Sequence, residues 1–248
     1  MNGIMRMYSM ADLKLDVLAI AAHPDDIEIT CGGLMIKLAN SGRKTGALDL
    51  TRGEMGTFGS QNDRDAEAIA AGEIMGLSYR NNLSIPDSAV EYNQENKLKL
   101  AQVIRDTNPE LVILPHWKQR HPDHLACSKL GFDACFLAGL KKINLEGDPC
   151  RPRKIIYASY SRTAEYSFLV DISDEFKQKC DAVAAYKSQF DSPEKAKRIF
   201  QPGLNVFDYM DTKSKFLGQL AGVAHAESYF VKESILIDDP QNMPVSSI

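Results

Sequence analysis

The chain has 248 residues and a mass of 27.5 kDa, with 44% hydrophobic and 25% charged side chains; this is the composition of a globular protein with a sizeable core, far from that of a disordered chain. A formal net charge of -4 and a pI near 5.8 leave no basic footprint, so neither nucleic acid nor an anionic membrane surface is an expected partner. Cys31, Cys127, Cys135, Cys150 and Cys180 are odd in number and contain no C-x-x-C pair, and no run is apolar for long enough to span a bilayer, so a cytoplasmic protein with reduced thiols is expected.

Residues 1–12 lack the apolar core and cleavage site of a signal peptide and are expected to form a flexible extension, in which Met5, Met7 and Met10 leave the start codon open. From Asp16 to Ala22 the run VLAIAA reads as a parallel strand buried on both faces, and it ends abruptly in His23-Pro24-Asp25-Asp26. Gly32-Gly33 then opens a helical stretch that closes at Asn40-Ser41-Gly42. Lys44 to Thr51 fits a second strand, TRGEMGTFGS a glycine-rich loop, and Asp63 to Met75 a helix.

The pattern repeats further along. Lys97 to Asp106 is helical by periodicity, Asn108-Pro109 breaks it, and Leu111 to Leu114 is a second purely apolar strand. After His121-Pro122-Asp123-His124, LACSKLGFDACFLAGL reads as a helix. Ile155 to Ser159 and Phe168 to Ile172 fit strands, while Asp174 to Lys187 and Asp211 to Gly222 fit helices. Strands alternating with helices predict an α/β fold of one domain, a Rossmann-like, mostly parallel sheet with helices on both faces. Such sheets bind ligands at the edge where the strands end, and both histidine-bearing loops follow buried strands.

These loops carry the chemistry. His23-Pro24-Asp25-Asp26 offers an imidazole and two carboxylates, and His121-Pro122-Asp123-His124 offers two imidazoles around another carboxylate. With His116, four of the five histidines lie in or beside them. Mixed imidazole and carboxylate donors suit zinc better than calcium or magnesium, and two histidines with one carboxylate leave an open position for catalysis. Iron or manganese could occupy the same donor set. Either Asp25 or Asp26 could face the metal, and the other could act as a general base. Read separately, the motifs also fit a turn, a helix cap or surface decoration. No G-x-G-x-x-G or P-loop follows the first strand, which disfavours a non-catalytic nucleotide-binding module.

AHPDDIEITCGG and RHPDH resemble the paired signatures of the LmbE/PIG-L family of zinc-dependent N-deacetylases, and LTRGEMGTFGS, LSIPDS, AYKSQF and HAESYF extend the resemblance over nearly the whole chain. The branch it most resembles is that of the N-acetylglucosaminyl-malate deacetylases of bacillithiol biosynthesis. The resemblance implies Zn2+ held by His23, Asp26 and His124, with Asp25 as general base. It implies that His121 stabilises the tetrahedral intermediate or protonates the leaving amine, with Asp123 as its orienting neighbour. It further implies that Arg64 contacts the sugar or an acidic aglycone, that Asp87 accepts from a sugar hydroxyl, and that the chain is a homo-oligomer acting on a small N-acetylated sugar conjugate. Arg52 and Glu54 could also reach the crevice. The family tyrosine that follows SQF falls near Val206 here, with Tyr209 close by, and His225 reads as packing or capping.

Overall fold

Strand β1 (Val17–Ala21) is buried at every position because both of its faces are covered. Val17, Ala19 and Ala21 enter one apolar cluster, Leu18 and Ile20 the other, as the two-residue period of a strand requires. The computed structural model describes residues 13–158, 165–192, 195, 205–243 and 245. Within them β1 lies in a seven-stranded sheet with β2 (Thr45–Asp49), β3 (Tyr79–Asn82), β4 (Leu111–Pro115), β5 (Lys154–Ala158), β6 (Phe168–Asp171) and β7 (Ala226–Phe230), ordered β3-β2-β1-β4-β5-β7-β6. The first five strands are parallel, and β7 runs antiparallel to both β5 and β6.

The cluster that holds Val17 also takes side chains from α1 (Asp26–Asn40), α2 (Gln61–Ile74), α5 (Phe176–Ala184), α6 (Lys187–Phe190) and α7 (Val206–Ala221). The other face is covered by α3 (Gln94–Thr107) and α4 (Pro122–Leu137). Helices on both faces of a mostly parallel sheet are the architecture that the alternating pattern predicts. Among the described residues, no helix is long and apolar enough to cross a membrane.

Two strands lie where the sequence shows none. Tyr79-Arg80-Asn81-Asn82 and Ala226-Glu227-Ser228-Tyr229-Phe230 carry polar and charged residues without the apolar run of a buried strand, yet Arg80, Glu227 and Ser228 are buried. Their charges are met inside the protein. Arg80 donates to Glu28 and, at 2.8 Å, to Asp49, while Tyr186 Oη lies 3.0 Å from Arg80 and 3.1 Å from Glu28. Glu227 accepts from Lys179 and Tyr229, each at 2.6 Å.

Helix α1 begins at Asp26, so Gly32 and Gly33 lie inside it instead of opening it. The reason is close packing. A Cβ on Gly33 would stand 2.8 Å from two atoms of Ile172 and 2.9 Å from Glu227 Oε1. The missing side chain lets the Glu227 carboxylate accept from the backbone N–H groups of Gly33 and Leu34 at 2.9 and 2.8 Å.

The relation that matters for the site is β1 beside β4, paired from Val17↔Leu111 to Ala19↔Ile113. From β1 the chain builds outward through β2 to β3, then returns to place β4 on the other side of β1. This reversal of strand order opens a crevice at the carboxyl ends of the two strands. The loops bearing His23 and His121 leave from those ends.

Candidate metal centre

Three donor atoms converge in this crevice. His23 Nδ1 is 3.2 Å from His124 Nε2 and 3.3 Å from Asp26 Oδ2, and Asp26 Oδ2 is 3.1 Å from His124 Nε2. Zinc holds nitrogen and oxygen ligands at about 2.0–2.2 Å, so neighbouring ligands on a tetrahedral ion stand about 3.3–3.5 Å apart. The observed triangle is close to one face of that tetrahedron. Two neutral donors and one anion also match the composition of a catalytic zinc site. A ring nitrogen of His121 lies within 4.8 Å of ring nitrogens of His23 and His124.

Local structure fixes each donor. Asp26 stands in the first turn of α1, and its Oδ2 accepts from the His23 backbone N–H at 2.9 Å. The His23 ring is held from the far side, where Nε2 faces Asp87 Oδ1 at 3.1 Å and Asp123 Oδ2 at 3.4 Å. His124 projects from the first turn of α4, which Pro122 starts and His121 caps by accepting from the Asp123 N–H at 3.2 Å through Nδ1. The cap at this helix is therefore His121, not Asp123. The Asp123 carboxylate takes the Ser88 N–H at 2.8 Å and faces His23, so it does not lie on the His121 ring as the sequence suggests.

Charge reflects the same arrangement. Burial works to lower the His23 pKa, but hydrogen bonds to Asp123, Asp26 and Asp87 overcome it and push the imidazole up to about 12. So much negative charge around one ring is a setting for a cation. Burial works to raise the Asp26 carboxyl, yet His124 and then His23 hold it well below the usual carboxylate range.

Asp25 differs from its neighbour. It occupies the N-cap position of α1 in the left-handed region, with φ 100°, and its side chain makes no capping bond. A residue other than glycine is conformationally strained there, and such strain concentrates at functional sites. The carboxylate instead meets Arg64 Nη2 at 3.3 Å. Burial pushes Asp25 up to about 7, with Arg64 pulling it down and Asp26 adding to the rise. A buried carboxyl poised there suits proton transfer near neutral pH.

Arg64 is buried, donates to the Pro24 carbonyl and to Asp25, and lies 5.7 Å from the centre of the Tyr186 ring. It is thus engaged with the segment that carries the carboxylates. Asp87 is likewise engaged, with Oδ1 on His23 and Oδ2 accepting from the Met55 N–H at 2.9 Å. Arg52 pairs with Asp65 and Gln61, and Glu54 accepts from the Arg52 and Asp87 N–H groups at 3.2 and 2.9 Å. Val206 is buried, and Tyr209 packs against the core. His225 stacks on Phe176 at 3.8 Å and meets Ser214, a packing role. His116 is buried and stacks on Trp117, outside the donor triangle.

Sequence reasoning passed over the buried set of Glu28, Asp49, Arg80 and Tyr186 that adjoins this segment. The one legible signal was Glu28 between Ile27 and Ile29, a charge within an apolar stretch. Burial pushes Asp49 up to about 6 even though Arg80 opposes it.

The family profile described as PIG-L, GlcNAc-PI de-N-acetylase, matches residues 18–135, which run from β1 through most of α4. The diacetylchitobiose deacetylase of Thermococcus kodakarensis is 32% identical over 223 residues, covering 85% of this chain and 80% of that protein. The chain belongs to the PIG-L family of de-N-acetylases. As a member it is an enzyme that hydrolyses N-acetyl amides. The conserved protein TT1542 of Thermus thermophilus shares the PIG-L fold of this chain at a TM-score of 0.82 and 38% identity, covering 90% of this chain and 97% of that one. The 1D-myo-inositol 2-acetamido-2-deoxy-alpha-D-glucopyranoside deacetylase of Kineococcus radiotolerans is 25% identical over 162 residues, covering 49% of this chain and 45% of that protein.

Proposed function

We propose that this enzyme removes the acetyl group from a small N-acetylglucosamine glycoside, using zinc held by His23, Asp26 and His124 and Asp25 as general base. The observation that carries this reading is the triangle of donors 3.1–3.3 Å apart, with a carboxylate of different setting beside it. Zinc, when bound, supplies a Lewis acid that polarises the acetamide carbonyl and acidifies water.

The protein's own groups do the rest. Asp25 receives the proton of the attacking water, and Arg64 holds its carboxylate in place. His121, whose Nδ1 already accepts from a backbone N–H, presents Nε2–H as a donor to the developing oxyanion or the leaving nitrogen. The C–N bond then breaks, the amine takes a proton from Asp25 or His121, and acetate leaves. A pocket lined by Ile20, Ile27, Ile113, Leu114, Pro115 and Ala158 opens against Asp26 and His124, and its apolar walls suit the acetyl methyl group.

The sugar is inferred from the relatives, which are named for N-acetylglucosamine carried on phosphatidylinositol, on a second such sugar or on inositol. Motif resemblance favours N-acetylglucosaminyl-malate and bacillithiol biosynthesis. The most extensive match favours a disaccharide, and Arg64, the residue expected to grip malate, is occupied by Asp25. Amine release from N,N'-diacetylchitobiose, N-acetylglucosaminyl-malate and free N-acetylglucosamine, measured side by side, tests the proposal. Release from none of them by the zinc-loaded enzyme would overturn it.

A further inference from the structure

We infer that Asp87 is a positioning residue for the metal ligand His23, and that it fastens the loop of residues 52–59 to the metal centre. The inference rests on the zinc reading proposed above. It assigns Asp87 a role different from that of a sugar contact.

An imidazole can present Nδ1 to a metal only when its proton sits on Nε2, and the acceptor that Nε2–H finds selects this form and fixes the ring plane. Here the nearest acceptor is Asp87 Oδ1 at 3.1 Å. Asp123 Oδ2 is farther at 3.4 Å and already takes the Ser88 N–H at 2.8 Å. That second bond fixes the Pro86-Asp87-Ser88 turn, in which Ser88 adopts a left-handed φ of 61°. The turn is therefore held in the shape that aims Asp87 at His23.

The other half of Asp87 reaches outward. Its Oδ2 accepts from the Met55 N–H at 2.9 Å, and Glu54 Oε1 accepts from the Asp87 N–H at 2.9 Å. The two loops thus clasp each other reciprocally, as the two partners of a capping box do. One aspartate joins a glycine-rich loop, with Gly53, Gly56 and Gly59, to a metal ligand. Whatever stabilises one end must stabilise the other by the same factor.

The test measures zinc affinity of the full-length protein by competition with a chelator, without substrate, together with the absorption spectrum of the cobalt-substituted protein. Backbone hydrogen exchange in the 52–59 loop, with and without zinc, supplies the second readout. Asp87→Ala should weaken zinc binding about 10–100-fold and shift the cobalt spectrum. Glu54→Ala, which touches no ligand, should weaken zinc in the same direction by a smaller factor. Asp87→Asn keeps an acceptor for His23 but presents an amide to the Met55 N–H. It should recover most of the affinity while losing the zinc-induced slowing of exchange in the loop.

Thermal unfolding of the metal-free proteins identifies any variant that does not fold, in which case Glu54→Ala and Asp87→Asn carry the test. Wild-type zinc affinity in a folded Asp87→Ala protein, with only KM for the sugar raised, would overturn the inference and return Asp87 to the substrate. Failure of the unaltered protein to bind zinc would overturn the metal reading itself.

Discussion

His23 Nδ1 and His124 Nε2 stand 3.2 Å apart although 101 positions separate them in the chain. The pairing of β1 with β4 accounts for this, because each histidine follows its strand by a few residues and the strands are neighbours at the point where sheet order reverses. Neutral imidazoles gain little from facing each other across an apolar floor. The Asp26 carboxylate, within 3.3 Å of both rings, makes the arrangement intelligible as a cation site.

Removing a ligand and removing the base should have separable effects. His124→Ala is expected to lose bound zinc, read as metal content per chain after dialysis. Asp25→Asn should retain zinc and lose turnover by about 10²–10⁴-fold, the usual contribution of general acid–base catalysis. A fully active Asp25→Asn enzyme would remove the base assignment.

Arg64 provides a second division, between kcat and KM. Since its guanidinium meets Asp25 and the Pro24 carbonyl, Arg64→Lys should lower kcat by about tenfold or more, with little change in KM, because Lys cannot reproduce the planar fork. A rise in KM alone, confined to a substrate with a carboxylate aglycone, would show that the arginine grips substrate.

The buried set behind the site should govern stability. Arg80 stands between Glu28 and Asp49, all three nearly inaccessible to solvent. Arg80→Met leaves two buried carboxylates without their cation, and breaking a buried pair in this way costs about 3–5 kcal/mol. Chemical denaturation should report that loss. A change below about 1 kcal/mol would mean that Asp49 is protonated and Glu28 compensated by Tyr186 alone.

Gly33→Ala tests why a glycine pair lies inside α1. Helix propensity alone favours alanine by about 1 kcal/mol. The added methyl would collide with Ile172 and with the Glu227 carboxylate, so a net destabilisation of about 1–3 kcal/mol is expected. A stabilised variant would show that Ile172 gives way freely.

The contrast between β1 and β7 shows what the sequence could convey. VLAIA announces a strand because both faces are apolar, whereas AESYF conceals one because Glu227 is neutralised by partners from α1 and α5 that no local pattern reveals. The donor types at the ends of β1 and β4 were legible, and so was their convergence at one sheet edge. Asp25 and Asp26 were indistinguishable as residue types. They differ in the fold because the left-handed backbone at Asp25 sends one carboxylate to Arg64 while the other remains with the imidazoles. The settings of Asp87 and Asp123 on His23 were hidden for a related reason, since three loops distant in sequence must assemble before either contact exists.

The most direct measurement is release of free amine from N,N'-diacetylchitobiose by the purified enzyme, before and after complete removal of metal and again after zinc is restored. The account predicts activity that vanishes with the metal, returns with zinc, and fails to return in His124→Ala. Undiminished release from metal-free protein would contradict it.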